Sequence, residues 1–461
     1  MQSTLIGDKA FYKKTFSIML PILAQNVITN FVNLLDNLMV GQVGTEPMSG
    51  VAIVNELMFV FNICVFGCIE GADIFTSQFY GSKNLDGVRS SFRFKLIFLS
   101  CNLLLFSAAF TFWGDELIRL FIHEGSGDVD PGLTFQYARQ YLKVVMIQMV
   151  PFSIVQLYSG TLKCSGKTVI PMKAGITAVC VNALFNYLLI FGKFGFPQLG
   201  VVGAALATVL AKVVEMAIVV IWTHAHREEA PFICGVYSSL KIPSVLLSRM
   251  AVMSIPLFLN EILWSFGTTF QSQSFSTRGI DVVPAVNSTN TVNNLFSCAM
   301  FALGNTIAIM VGHRLGAGQL KEAVEEDRRL IIMSVCLCAV LGLIMGLLAP
   351  YIPQAYNTTD SVRLLATQLL RVASVMIPIN ALVNTCYFTL RSGGKAVFIF
   401  LFDSGFVCGV LVPAAFILSR FTDIGIVPLF AIVHGLNILK GILGVIMVRK
   451  KVWVNNIVES D

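Results

Sequence analysis

Apolar residues run through this chain in twelve blocks, each long enough to cross a bilayer core of about 30 Å. They fall at 15–40, 50–80, 92–113, 138–162, 169–191, 199–222, 247–276, 284–313, 330–352, 363–390, 396–419 and 424–448. Short polar connections separate them, and the longest, 223–246, lies near the midpoint. Lipid offers a backbone no hydrogen-bond partners, so each block is predicted to be a helix. The first block follows Lys9, Lys13 and Lys14 and has no small-residue cleavage site. It is expected to remain as a first span rather than leave as a signal peptide.

The blocks repeat. A shift of 235 residues carries Pro21 onto Pro256, Asn55 onto Asn290, Phe61 onto Phe296, Phe66 onto Phe301, Gly81 onto Gly316 and Leu85 onto Leu320. A shift of 228 carries the stretch from Thr161 to Lys167 onto the stretch from Thr389 to Lys395. Six spans return a chain to its starting side, so the two halves are expected to be parallel repeats about a central cleft. The expected organisation is an N-lobe at 1–222, an interlobe linker at 223–246 and a C-lobe at 247–461. The fold class is thus an all-α polytopic membrane protein of twelve spans in two pseudo-symmetric six-helix lobes.

Charge changes the picture by giving the spans a direction. Of the 32 Lys and Arg residues, 22 sit on the side that carries both termini and the linker. The opposite side holds the acidic stretch Asp115, Glu116, Glu124, Asp128 and Asp130. This bias predicts an inner (plasma) membrane protein with cytoplasmic termini. Only 13% of the residues are charged, where a soluble domain has about a quarter. The net charge of +6 is spread over these loops, so it sets orientation and does not point to nucleic acid. The eleven cysteines contain no CxxC pair and lie mostly inside apolar blocks, which excludes a disulfide framework.

Polar residues inside the blocks carry the candidate chemistry. The first span holds Gln25, Asn26, Thr29, Asn30, Asn33, Asp36 and Asn37, spaced along one helix face. The seventh holds Asn260, Glu261, Ser265, Thr268, Gln271 and Ser272, in register with it through the repeat. Such stripes must face protein or a water-filled cavity. A carboxylate at that depth costs about 3 kcal/mol or more unless paired, protonated or bound to a cation. Asp36 has no Lys or Arg within a helical turn. It reads as a proton or Na⁺ site, with a neutral strut between helices as the plainer alternative. Glu261 reads the same way. Glu56, Glu70, Asp73 and Asp403 are weaker candidates for a direct role, and Lys212 and Glu215 are spaced to pair on one helix face. His224 and His226 in the linker read either as a metal site or, more plainly, as part of a solvated connection. There is no HExxH, GxSxG or Walker sequence, so neither an enzyme nor direct use of ATP is expected. Transport would have to run on an ion gradient.

Several stretches resemble one family. Asn33-Leu34-Leu35-Asp36-Asn37-Leu38-Met39-Val40-Gly41, with Asp36 fifteen residues after Pro21, resembles the first-span signature of multidrug and toxic compound extrusion (MATE) transporters. Gln78-Phe79-Tyr80-Gly81, Thr389-Leu390-Arg391-Ser392-Gly393-Gly394-Lys395 and the stretch from Asn182 to Lys212 resemble its later motifs. The match is to the NorM/DinF-like bacterial branch. The resemblance implies export of drugs in exchange for H⁺ or Na⁺, with no other cofactor. The partners it implies are small cationic amphipathic molecules and membrane lipid, and a monomer is expected. The family's N-lobe cation site, an Asp, an Asn, an Asp and a Thr, maps onto Asp36, Asn182, Asn186 and Thr208. Asn186 removes one of the two acids, which favours H⁺ over Na⁺ and leaves Na⁺ at Asp36 as the one metal to consider. The C-lobe site maps onto Glu261 and, where an Asp is expected, Asn380. Pro21 becomes a hinge, with Gln25, Asn26, Asn30, Asn33, Gln271 and Asp403 as possible cavity-lining residues. A lipid-linked sugar flippase of the same superfamily is the alternative. It would need cavity cations for a pyrophosphate, and the stripes contain no Lys or Arg.

Overall fold

The structure is a computed structural model that describes residues 7–122, 130–279, 281–355 and 358–459. Twelve of its helices are long and apolar enough to cross a membrane. In chain order they are α1 (Lys9–Gly41), α2 (Thr45–Gly81), α3 (Leu85–Arg119), α4 (Pro131–Cys164), α5 (Val169–Phe191) and α6 (Val201–Ala225). The second half supplies α7 (Ser244–Ser276), α8 (Val282–Gly316), α9 (Leu320–Leu348), α10 (Asp360–Ser392), α11 (Ala396–Phe421) and α12 (Ile426–Arg449). No strand occurs among the described residues. Several helices outrun their apolar blocks. α3 begins at Leu85 rather than 92, and α4 at Pro131 rather than 138. Hydropathy marks only the length that meets lipid, whereas intrahelical bonding continues into the polar flanks. The acidic residues Glu124 and Asp128, used for orientation, lie outside the described residues.

Long helices need local reasons to deviate, and they have them. α1, α7 and α10 enclose Pro21, Pro256 and Pro378 yet remain helical across them. α11 widens into π-helix over Leu401–Gly405 and again over Val407–Leu411. Such bulges concentrate where a side chain must be re-aimed. α12 is interrupted between Gly435 and Asn437.

The chain forms two compact units. One comprises Met1–Leu23, Ser77–Asn84 and Ala251–Asp461; the other comprises Ala24–Thr76 and Leu85–Met250. α1 therefore changes unit two residues after Pro21, and α2 changes at Thr76/Ser77. In the first unit α10 packs on α8, α9 and α12. In the second α5 packs along α6, and α6 contacts α4.

Most of the linker is exposed, His226, Arg227, Glu228 and Glu229 among it, but part of it packs on the protein. Ala230, Phe232, Ile233 and Val236 are buried, and Arg93 of α3 donates to the carbonyls of Gly235 (2.9 Å), Val236 (2.8 Å) and Lys241 (3.3 Å). The Arg93 guanidinium thus bridges carbonyls far along the chain, a pairing invisible to a composition-based reading. Lys167 bonds to Glu229 at 2.7 Å and holds that carboxyl below its ordinary value. This contribution is present at neutral pH and lost as pH falls through the lowered carboxyl range.

Candidate functional site

Asp36 lies in the last turns of α1, where a polar stripe meets α5 and α6. Asn186 of α5 donates from Nδ2 to Asp36 Oδ1 at 2.5 Å. The same nitrogen donates to Oδ1 of Asn182, one helical turn away, at 3.1 Å. Asn182 in turn donates to Thr208 Oγ1 of α6 at 3.4 Å, and Thr208 donates to the Ala204 carbonyl at 3.0 Å. The Asn182 amide atom that faces Asp36 is 2.7 Å from Oδ1 and 3.2 Å from Oδ2. Asn182 and Asn186 are 5% and 1% exposed, so protein rather than water must complete these bonds. The four positions that the resemblance picked out thus converge on one carboxyl group. Tyr141 of α4, buried beside Thr208 and Asp36, joins them. Nothing in the sequence singled it out, because it comes from a fourth helix with no polar stripe.

The rest of the α1 stripe behaves variously. Gln25 packs its side chain over Gly175 of α5, where an added Cβ would meet Nε2 at 3.2 Å. Asn26 is half-buried and Asn30 exposed. The side chain of Asn33 lies outside the described residues, as does that of Asn37.

The second unit of interest lies in the C-terminal half. Glu261 and Gln271 are half-buried on α7. Beside Glu261, Asn260 is fully buried and donates to Asp403 Oδ2 at 3.0 Å. Asn260 Oδ1 accepts from the Ser404 N–H (3.2 Å) and hydroxyl (2.8 Å). The π-widening of α11 puts both Asp403 and Ser404 on the same asparagine. Lys440 of α12 closes the network, donating to Asp403 Oδ1 at 2.6 Å and lying over the Phe402 ring at 5.3 Å. Asp403 is therefore one half of an ion pair with a lysine that is 5% exposed. Asn380 accepts from Asn437 at 3.3 Å. It also lines a cavity of about 20 Å³ with Asn290, Asn293 and His434, the room that one water needs.

Lysines reach the interior from spans other than the two stripes. Lys95 is fully buried and donates to Asp73 Oδ1 and to Thr161 Oγ1, each at 2.8 Å. Lys212 pairs with Glu215 at 2.8 Å, as their spacing predicts. Glu56 is exposed. The two linker histidines diverge. His224 Nε2 meets the Tyr158 hydroxyl at 3.1 Å, while His226 stacks on Trp222 at 4.7 Å. No group of three or more His, Cys, Asp or Glu residues suited to a metal occurs among the described residues.

Comparison with known proteins agrees with the architecture. The MatE family pattern matches the chain twice, over residues 21–188 and 256–417. The two matches begin on Pro21 and Pro256, the prolines related by the 235-residue shift. A probable multidrug resistance protein NorM of Thermotoga maritima is 23% identical over 416 residues, covering 90% of this chain and 87% of its own. A probable multidrug resistance protein YoeA of Bacillus subtilis is 24% identical over 415 residues, covering 88% and 87%. A crystal structure of MATE in complex with MaL6 superposes with a TM-score of 0.86 at 17% identity, covering 97% of both chains. Two repeats, twelve spans and a family match over most of its length place this multi-pass membrane protein: the chain belongs to the MatE family of multidrug efflux transporters.

Proposed function

We propose that this protein is a secondary active antiporter, working as a monomer in the plasma membrane, that exports small organic cations in exchange for protons. The observation that supports it best is the convergence of two neutral amides on one carboxyl group: Asn186 donates to Asp36 Oδ1 at 2.5 Å, and the Asn182 amide lies 2.7 Å from the same oxygen. An amide can present its N–H to an ionised carboxylate or its oxygen to a protonated one, so this pair can serve Asp36 in either charge state. The site offers a single negative charge, which fits a proton better than a metal cation that must shed its water.

Coupling follows from linkage. A proton on Asp36 favours one arrangement of the α1, α5 and α6 side chains, and a cationic substrate favours the ionised alternative. Each ligand shifts the equilibrium only by its differential affinity for the two states. Pro21 serves as the hinge in this reading, since α1 passes from one unit to the other two residues beyond it. Glu261, on the repeat-related stripe, supplies a second titratable group, and Asn380 with its cavity belongs to the same unit. The relatives named as multidrug resistance proteins support drugs as the substrate class.

Purified protein in liposomes should accumulate a fluorescent organic cation when a pH gradient is imposed. A Na⁺ gradient alone should leave uptake at background; the reverse pattern would sink the proton assignment. The orientation is equally open to test. Position 228, made cysteine on a background without native cysteines, should react with an impermeant maleimide only in inside-out vesicles. Reaction in intact cells would place the linker and both termini outside.

A further inference from the structure

The last turns of α2 and α8 cross with a glycine at each point of contact. A Cβ added to Gly81 would lie 2.1 Å from the His313 carbonyl oxygen, and one added to Gly316 would lie 1.9 Å from that of Gln78. One added to Gly312 would meet Ser77 Cβ at 2.9 Å. The shift of 235 residues exchanges these partners: Gly81 with Gly316, Gln78 with His313, and Ser77 with Gly312. The crossing is reciprocal, each repeat contributing the same backbone-to-backbone approach. Only glycine permits this approach, since no side chain could be displaced to make room.

The segment Val452–Glu459, which follows α12, is fastened across this crossing. Gln78 is fully buried and every polar atom of its amide group is engaged. Its Nε2 donates to the Ser392 carbonyl at 2.8 Å and to the Asn455 carbonyl at 3.2 Å. Its Oε1 accepts from the Ile457 N–H at 2.9 Å. Asn455 reaches back to the Gly393 carbonyl at 3.4 Å. Gly393 itself packs on the backbone of Trp453, where a Cβ would lie 1.8 Å from the carbonyl oxygen. Trp453 is 1% exposed and donates to the Val448 carbonyl at 3.2 Å. One glutamine thus joins the end of α2, the α10–α11 turn and the segment after α12. α2 leaves this unit at Thr76/Ser77, so whatever fixes Gln78 fixes the end of a helix that continues into the other unit.

We propose that Val452–Glu459 is a clasp that holds the α2–α8 crossing closed, and that the transport cycle requires its release. The inference rests on the transport reading for the existence of a cycle. The clasp itself is read without substrate or gradient, so the two can fail separately. The test uses the full chain in nanodiscs, with the native cysteines replaced and Ser77→Cys as the only thiol. Ser77 is buried against Gly312 and should react slowly with a maleimide. Gln78→Leu keeps the bulk and removes three hydrogen bonds, each of modest net worth. Labelling should then accelerate about tenfold or more. Ile457→Pro lies outside the spans; it removes the N–H donated to Gln78 and trims the side chain that lies beside Gly394. It should accelerate labelling by several-fold, and it keeps the test open should Gln78→Leu not fold. In liposomes both variants should take up an organic cation several-fold more slowly, because a shifted equilibrium depopulates one of the states the cycle needs. Unchanged labelling in folded variants overturns the clasp. Faster labelling with wild-type uptake overturns its place in the cycle. No gradient-driven uptake by the unmodified protein would defeat the transport reading while leaving the labelling result intact.

Discussion

Asp36→Asn should reduce gradient-driven export by about 100-fold, the upper end of the 1–3 kcal/mol range of coupling energies between sites. The substitution keeps the volume and hydrogen-bonding shape of the side chain but fixes its charge at zero. In the wild-type protein Asn182 can match either charge state by turning its amide, because it faces Asp36 at 2.7 Å while also within reach of Thr208. With Asn at position 36, that choice no longer reports on a proton. Substrate affinity should fall far less than transport, since the folded site survives. Gradient-driven uptake into vesicles at matched expression measures the effect. Near-wild-type coupled uptake would reduce Asp36 to a strut between α1 and α5, and coupling would then have to reside at Glu261.

The second large effect concerns stability rather than transport. Lys440→Met leaves the Asp403 carboxylate buried against Asn260 with no cation. Breaking a buried pair on one side costs about 3–5 kcal/mol, because the remaining charge is uncompensated. Asp403→Asn alone should be comparably harmful, stranding the Lys440 ammonium 5.3 Å over the Phe402 ring. The double variant Asp403→Asn/Lys440→Met should recover most of the loss, since neither charge is then left alone. Equilibrium denaturation of all four proteins in detergent gives the interaction energy directly. Additive losses in the double variant would show that the two side chains do not depend on one another. The same reasoning applies to Lys95 and Asp73, whose lysine is the more deeply buried of the two cations.

Much of this architecture can be read from the chain. The twelve apolar blocks and the 235-residue repeat follow from side-chain periodicity and from lipid's refusal to solvate a backbone. Asp36 stands out as a carboxylate on a polar stripe without a basic neighbour. What periodicity cannot supply is the neighbouring helix. Lys440 is 37 residues from Asp403, and Lys95 is 22 from Asp73, so neither lysine appears beside its acid on any one helix face. Tyr141 is hidden for the same reason, in a helix whose apolar block starts only three residues before it. The convergence of Asp36, Asn182, Asn186 and Thr208 is visible in the sequence only through family resemblance. The tethering of the linker is hidden because Arg93, which binds its carbonyls, comes from α3, more than 140 residues away from them. The π-widened stretch of α11 has no apolar or polar pattern that distinguishes it from ordinary helix.

The central claim is that substrate and a proton compete through Asp36. Linkage makes this measurable at equilibrium, without a membrane gradient. Calorimetry of organic-cation binding to the detergent-solubilised protein, repeated in buffers of different ionisation enthalpy, counts the protons released. Wild type should release up to about one proton per substrate bound, with the amount falling as pH rises and Asp36 ionises beforehand. Asp36→Asn should bind the same cation and release none. Equal release from both proteins, or none from wild type at any pH where it binds, would contradict the account.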